Sequence, residues 1–143
     1  MRTRTHLLGR ALAALTVLLV FGCGGDNGTS PQPPTTVKED PSFSADIQPI
    51  FTSSCVSSGC HGAAASAGLV LLQGQSYGSL VNVDSSQDNT KKRVLPGDAD
   101  NSYIVIKLEG RQSIGARMPL GGSLGANSIQ NVKNWIGKGA KNN

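Results

Sequence analysis

The sequence predicts a small, helix-rich domain carried behind an export signal, and three observations lead there. Apolar residues recur at helical spacing near 43–51, 102–108 and 126–140. Helix start and stop residues bracket these segments: Ser44 and Asp46 open the first, Gly110 closes the second, and Gly137 or Gly139 stops the third. Beyond Ser42 the chain is ~100 residues long, and a domain of that size is marginal on core burial alone. Its aromatics are Phe43, Phe51, Tyr77, Tyr103 and Trp135. Domains so poor in large side chains often add a disulfide, a metal or another insert.

Taken in order, "SFSADIQPIF" reads as a short helix with Ser44 as N-cap and Ile47, Ile50 and Phe51 on one face. Pro49 sits early enough to be tolerated. "AGLVLL", residues 67–72, reads as a strand or a buried extended run, and "QSYGSLVNV" as a helical turn and its exit. "SSQDNTKKR" is a polar loop, and Pro96-Gly97 marks a turn. A helix from about Ser102 to Leu108 then ends at Gly110. "RQSIGARMPLGG" is a glycine-rich loop holding Met118-Pro119, and "ANSIQNVKNWIGKGA" is the last helix. Ile129, Val132 and Ile136 fall on one face of it, with Trp135 beside them.

The N-terminus has a basic head with Arg2, Arg4 and Arg10, followed by the apolar run Ala11 to Gly22. This is a secretory signal, too short for a comfortable stop-transfer helix. "VFGC" places Gly22 before Cys23 and resembles the bacterial lipobox, which implies cleavage after residue 22 and lipidation of Cys23. Gly24 rather than Asp leans toward the outer membrane, with the protein facing the periplasm or the cell exterior. Residues 23–42 then form a flexible tether rich in Gly, Ser, Thr and Pro. The formal charge of +4 mostly reports the signal. Removing its three arginines from the 13 basic residues leaves ten against nine acidic, near +1, so the charge balance does not point to nucleic acid.

After Cys23 the chain holds two cysteines, one histidine and one methionine. Cys55, Cys60 and His61 stand together in "CVSSGCHG", and Met118 lies far along the chain. A c-type haem needs two thiols, a histidine beside the second, and often a distant thioether. The gap between the cysteines is four residues rather than two, so the segment must bulge; Val56 to Gly59 is small and ends in glycine. Other chemistry fits the short motif too. Cys55 and Cys60 can pair as a disulfide in an exported protein, leaving a haem-free binding lipoprotein with His61 idle. Zinc would need a fourth protein ligand. Met118 can be a core filler, or lie near haem without bonding iron, as in a sensor. Lys91-Lys92-Arg93 is either a docking patch for an acidic redox partner or a solvated loop, and Arg93 is a candidate partner for a haem propionate. The Pro96 carbonyl is a candidate acceptor for His61.

"FSADIQPIFTSSCVSSGCHG", "AGLVLL", "RVLPGDADNSYIVIKL", "RMPLGG" and "NWIGKGA" together resemble the class I cytochrome c-like domains of exported proteins in planctomycetes and other Gram-negative bacteria. The resemblance spans about Phe43 to Ala140. It implies an all-α, class I cytochrome c-like fold over residues 43–143, wrapped around one covalent haem c with long loops. By position it implies Cys55 and Cys60 as thioether cysteines, His61 and Met118 as axial iron ligands, and the first helix packed on the Trp135 helix. The function implied is one-electron transfer with redox partner proteins, not self-standing catalysis.

Overall fold

A computed structural model describes residues 32–143. The signal segment 1–22, Cys23 and the start of the tether lie outside the described residues. Among those described, the chain forms four α-helices: α1 (Gln48–Ser54), α2 (Ser76–Leu80), α3 (Tyr103–Glu109) and α4 (Ala126–Gly137). A π-helical turn, Phe43–Ile47, leads into α1, and a 3-10 turn covers Ser66–Gly68. There is no strand among the described residues, only isolated bridges between Val81 and Val94, Asp84 and Lys92, and Leu95 and Asp98. The architecture is therefore helix-rich and small, compatible with the all-α class. No described helix is long and apolar enough to cross a membrane.

The first helical segment starts earlier than the sequence suggests. Its cap is Ser42, in extended backbone, and Ser44 is exposed. Ser42 Oγ accepts from Ala45 N, while Asp46 Oδ2 reaches back to accept from Ser42 N at 2.9 Å. This reciprocal pair satisfies donors that a helix start leaves free, and Ser44 is one residue too late to make it. Asn143 helps: its backbone O accepts from Ser44 N at 2.8 Å and its Oδ1 from Phe43 N at 2.9 Å. Pro49 falls in the first turn of α1, where its missing N–H costs no bond.

The core gathers the π-helical turn, α1, α3 and α4. Ile47, Ile50, Phe51, Val132, Trp135 and Ile136 are all fully buried. Phe43 lies 5.1 Å from the Trp135 ring and meets Tyr77 edge-on at 5.3 Å, both favoured aromatic separations. The polar handles of these aromatics are used: Trp135 Nε1 donates to Lys141 O and Tyr77 Oη to Ala140 O. Gln48 donates to Leu71 O and meets Ser76 Oγ, tying α1 to α2. "AGLVLL" is neither a strand nor a buried extended run: Ala67 and Gly68 are exposed in the 3-10 turn, and only Leu71 is buried, its N–H going to His61 O.

The tether expected over residues 23–42 differs at its C-terminal end. Residues 35–38 lie along α4, held by Asn127, Asn131 and Asn134. Asn131 brackets the strap: its Nδ2 donates to Thr36 O at 2.8 Å and its Oδ1 accepts from Lys38 N at 2.7 Å. Asn127 Nδ2 donates to Thr35 O and Asn134 Nδ2 to Lys38 O, each at 2.6 Å. Lys38 also pairs with the buried Asp46 at 2.5 Å. A carboxamide carries donor and acceptor together and so matches a peptide backbone. Composition alone reads this stretch as solvated chain.

Candidate functional site

The cysteine segment folds back on itself. Cys55 caps the end of α1, and its carbonyl accepts from His61 N at 3.0 Å. Gly59, at φ +78°, makes the bend that the four-residue gap requires. Gly62 passes so close to Val56 that an added Cβ would lie 2.8 Å from its carbonyl oxygen. Ser66 then ties the loop from the far side, its N–H to Cys60 O and its Oγ to Gly59 O. The widened spacing is thus closed by backbone bonds that bring Cys55, Cys60 and His61 to one wall.

That wall faces a cavity of about 480 Å³, within the roughly 300–1,000 Å³ usual for small-molecule sites. Cys55, Cys60, His61, Arg93 and Met118 all line it. The remaining surface is mainly apolar, with Phe51, Leu69, Leu71, Ile104 and Leu108 contributed by α1, the cysteine loop and α3. Residues separated by more than fifty positions in sequence therefore meet at one site. The Met118–Pro119 peptide bond is cis.

His61 is oriented, but not by Pro96. Its Nδ1 lies 3.1 Å from Ser66 O and 3.3 Å from Leu69 O. The Pro96 turn instead packs near the end of α4, where Gly97 N donates to Ile136 O. Two carbonyls around Nδ1 select the tautomer that carries its proton there. That tautomer leaves the Nε2 lone pair free of these carbonyls. Cys55 and Cys60 are both free thiols and half-buried. Burial, and secondarily the nearby Cys60, push the Cys55 thiol up to about 11, so it stays protonated at neutral pH. Among the described residues, no group of three or more His, Cys, Asp or Glu side chains is placed to hold a metal ion.

Lys91, Lys92 and Arg93 do not form one basic face. Neighbours in an extended run point to opposite sides. Lys92 pairs with Asp84 at 2.6 Å, while Arg93 turns to the cavity. The Arg93 guanidinium donates to Ser79 O at 2.8 Å and to Ala67 O at 3.2 Å, and burial lowers its pKa.

Three cavity residues were not singled out in the sequence. Lys107 is 7% exposed, and burial lowers its pKa. Its Nζ lies 5.6 Å from the Tyr103 ring centroid. Tyr103 is buried and its Oη has no hydrogen-bond partner. Gln87 completes this polar corner. The available signal was Tyr103 and Lys107 at i, i+4 inside an otherwise apolar helix, a pairing that places both on one face. No aspartate or glutamate is among the residues lining the cavity. Arg93 and Lys107 therefore face an apolar space without an acidic partner there. Buried charge of one sign favours a ligand of the other.

The residues fit a dicarboxylate macrocycle. The walls are apolar, the cysteine loop contributes two thiols and an imidazole, a distant loop contributes a thioether, and Arg93 and Lys107 bring positive charge. No protein-family model, no curated protein and no solved structure matches this chain.

Proposed function

We propose that the protein is a monohaem c-type cytochrome, exported and anchored through a lipid on Cys23, that carries single electrons between redox partner proteins. The observation that supports this most is the single cavity lined by Cys55, Cys60, His61 and Met118. Cys55 and Cys60 would hold the group covalently through their thiol sulfurs. His61 would ligate iron through Nε2, with Ser66 O and Leu69 O fixing the ring. Met118 would offer its thioether to the iron, a soft sulfur that would favour the reduced metal and raise its potential. Arg93 would face a propionate. Bound there, haem supplies one-electron redox chemistry, while the chain binds, orients and tunes it. We propose no acid–base catalysis for this site.

Replacement of Met118 by Ala in the exported, haem-loaded protein tests the ligand assignment. The expected result is loss of the sulfur-ligation absorption band, a lower reduction potential and rapid carbon monoxide binding. An unchanged spectrum and potential would remove Met118 as a ligand and leave a sensor or ligand-binding haem site as the reading.

A further inference from the structure

The loop that carries Met118 has little apolar anchorage of its own. Ile114 is 49% exposed and Leu120 is 66% exposed. What holds the loop is the last turn of α3. Arg111 N donates to Ile106 O at 2.9 Å, Met118 N to Lys107 O at 3.0 Å, and Arg117 Nε to Leu108 O at 2.9 Å. Lys107 O and Leu108 O are carbonyls that a helix C-terminus leaves without partners, while Ile106 O also takes the Gly110 N–H. One bond reaches the middle of the loop: Lys107 Nζ donates to Ile114 O at 3.0 Å. Gly115 makes room for it. A Cβ there would lie 3.1 Å from Nζ, and φ of +70° disfavours any side chain. Gly110 admits Arg117 in the same way, with a Cβ 3.1 Å from Arg117 Cδ. Two glycines thus each accept a cationic side chain that ties the loop to the helix.

We propose that Lys107 is a positioning residue that clasps the 111–118 loop and so holds the Met118 thioether at the cavity, an inference resting on the haem reading above. Lys107 acts on the loop at both ends of its own structure: its carbonyl takes the Met118 N–H, and its ammonium takes the Ile114 carbonyl. The ammonium bond is charged and part-buried, and charge-assisted bonds are stronger than neutral ones. Without it the loop centre is tied only through its ends. Losing it frees the loop centre to move, and Met118 moves with it.

Lys107→Met keeps the buried stem and removes the donor, and Gly115→Ala displaces the ammonium from the other side. Both are compared with the parent as full-length protein, with and without haem. In the haem-free chain, amide hydrogen exchange over residues 112–118 should rise roughly tenfold to hundredfold in Lys107→Met, with α1 and α4 unchanged. In the haem-loaded chain, both variants should lose part of the sulfur-ligation band, show a lower potential and bind carbon monoxide roughly tenfold or more faster. Lys107→Arg, which retains a cationic donor, should restore most of the parent behaviour. Unchanged exchange in Lys107→Met would overturn the clasp. Faster exchange with an unaltered spectrum and potential would overturn its role in placing Met118. Faster exchange in a chain that takes no haem under any condition would leave the clasp standing and retire the haem reading.

Discussion

The α4 side of the molecule and the cysteine side are built to different standards of completeness. Around Trp135 the aromatic rings meet tilted and edge-on, the Trp135 and Tyr77 polar handles find partners, and Asn131 is fully buried with both ends of its amide bonded to the strap. Across the cavity the pattern reverses. Apolar walls face open space, Tyr103 Oη has no partner, and Arg93 and Lys107 meet no carboxylate there. Native proteins rarely leave buried polar groups unsatisfied. The first side is stabilised by the chain itself, whereas the second has the form of a surface that something outside the chain completes.

The largest effect should come from opening the complete side. Trp135→Ala removes a fully buried ring and should cost about 3–5 kcal/mol of stability in the haem-free chain. Met118→Ala at the cavity should cost under about 1 kcal/mol. Urea unfolding of both variants tests the contrast, and equal losses would erase it. Next, Asn131→Ala strands the Thr36 carbonyl and the Lys38 amide. It should cost about 1–3 kcal/mol and open the strap to proteolysis; an unchanged midpoint and an unchanged cleavage rate would mean that the strap adds nothing. At the cavity, Arg93→Gln should weaken haem binding by the haem-free chain roughly tenfold. It should have less effect on the dimethyl ester of the same macrocycle. Titration by absorbance checks this, and equal weakening of both ligands would remove Arg93 as a carboxylate partner.

The smallest effect concerns pH. Lys133 lies 3.0 Å from both Asp100 and Glu109. The hydrogen bond from Lys133, then its charge, holds the Asp100 carboxyl below the usual range. Burial pushes Glu109 up, but bonds from Arg111 and Lys133 outweigh this and leave it lowered. A lowered carboxyl stabilises the fold above its unfolded pKa, about 4, and that stability is lost as pH falls through the folded value. Lys133 is raised, chiefly by its bonds to Asp100 and Glu109, so its share is present below about pH 10.4 and lost as pH rises past the raised value. Lys133→Met should therefore lower Tm at neutral pH and converge with the parent as pH falls below the ordinary carboxyl value, about 4. A Tm difference independent of pH would contradict the linkage.

Much of the helical frame was legible because its signals are local. The Ile47–Ile50–Phe51 face, the Ser102 to Gly110 bounds of α3 and the Trp135 helix each follow from spacing and punctuation within a few residues. Cys55, Cys60, His61 and Met118 were legible as chemistry, since few side chains of those types remain after Cys23. What stayed hidden depends on distant partners. The strap needs Asn127, Asn131 and Asn134 seen together with residues 35–38, about ninety positions away. The carbonyls that orient His61 come from a loop whose path composition does not state, so Pro96 was a reasonable but wrong candidate. Lys107 reads as an exposed charge until Gly115 is brought over it.

The most direct measurement is the intact mass, together with the absorption spectrum after acid denaturation, of the chain exported from a host with haem-attachment machinery. A gain of one haem in mass, with the haem band surviving denaturation, is the predicted result and would place both roles of the cysteine loop on chemical ground. A colourless chain two hydrogens lighter than its reduced form, from a host shown to mature widened cysteine motifs, would mean that Cys55 and Cys60 form a disulfide. It would contradict the cytochrome and leave a binding lipoprotein whose cavity takes another anion.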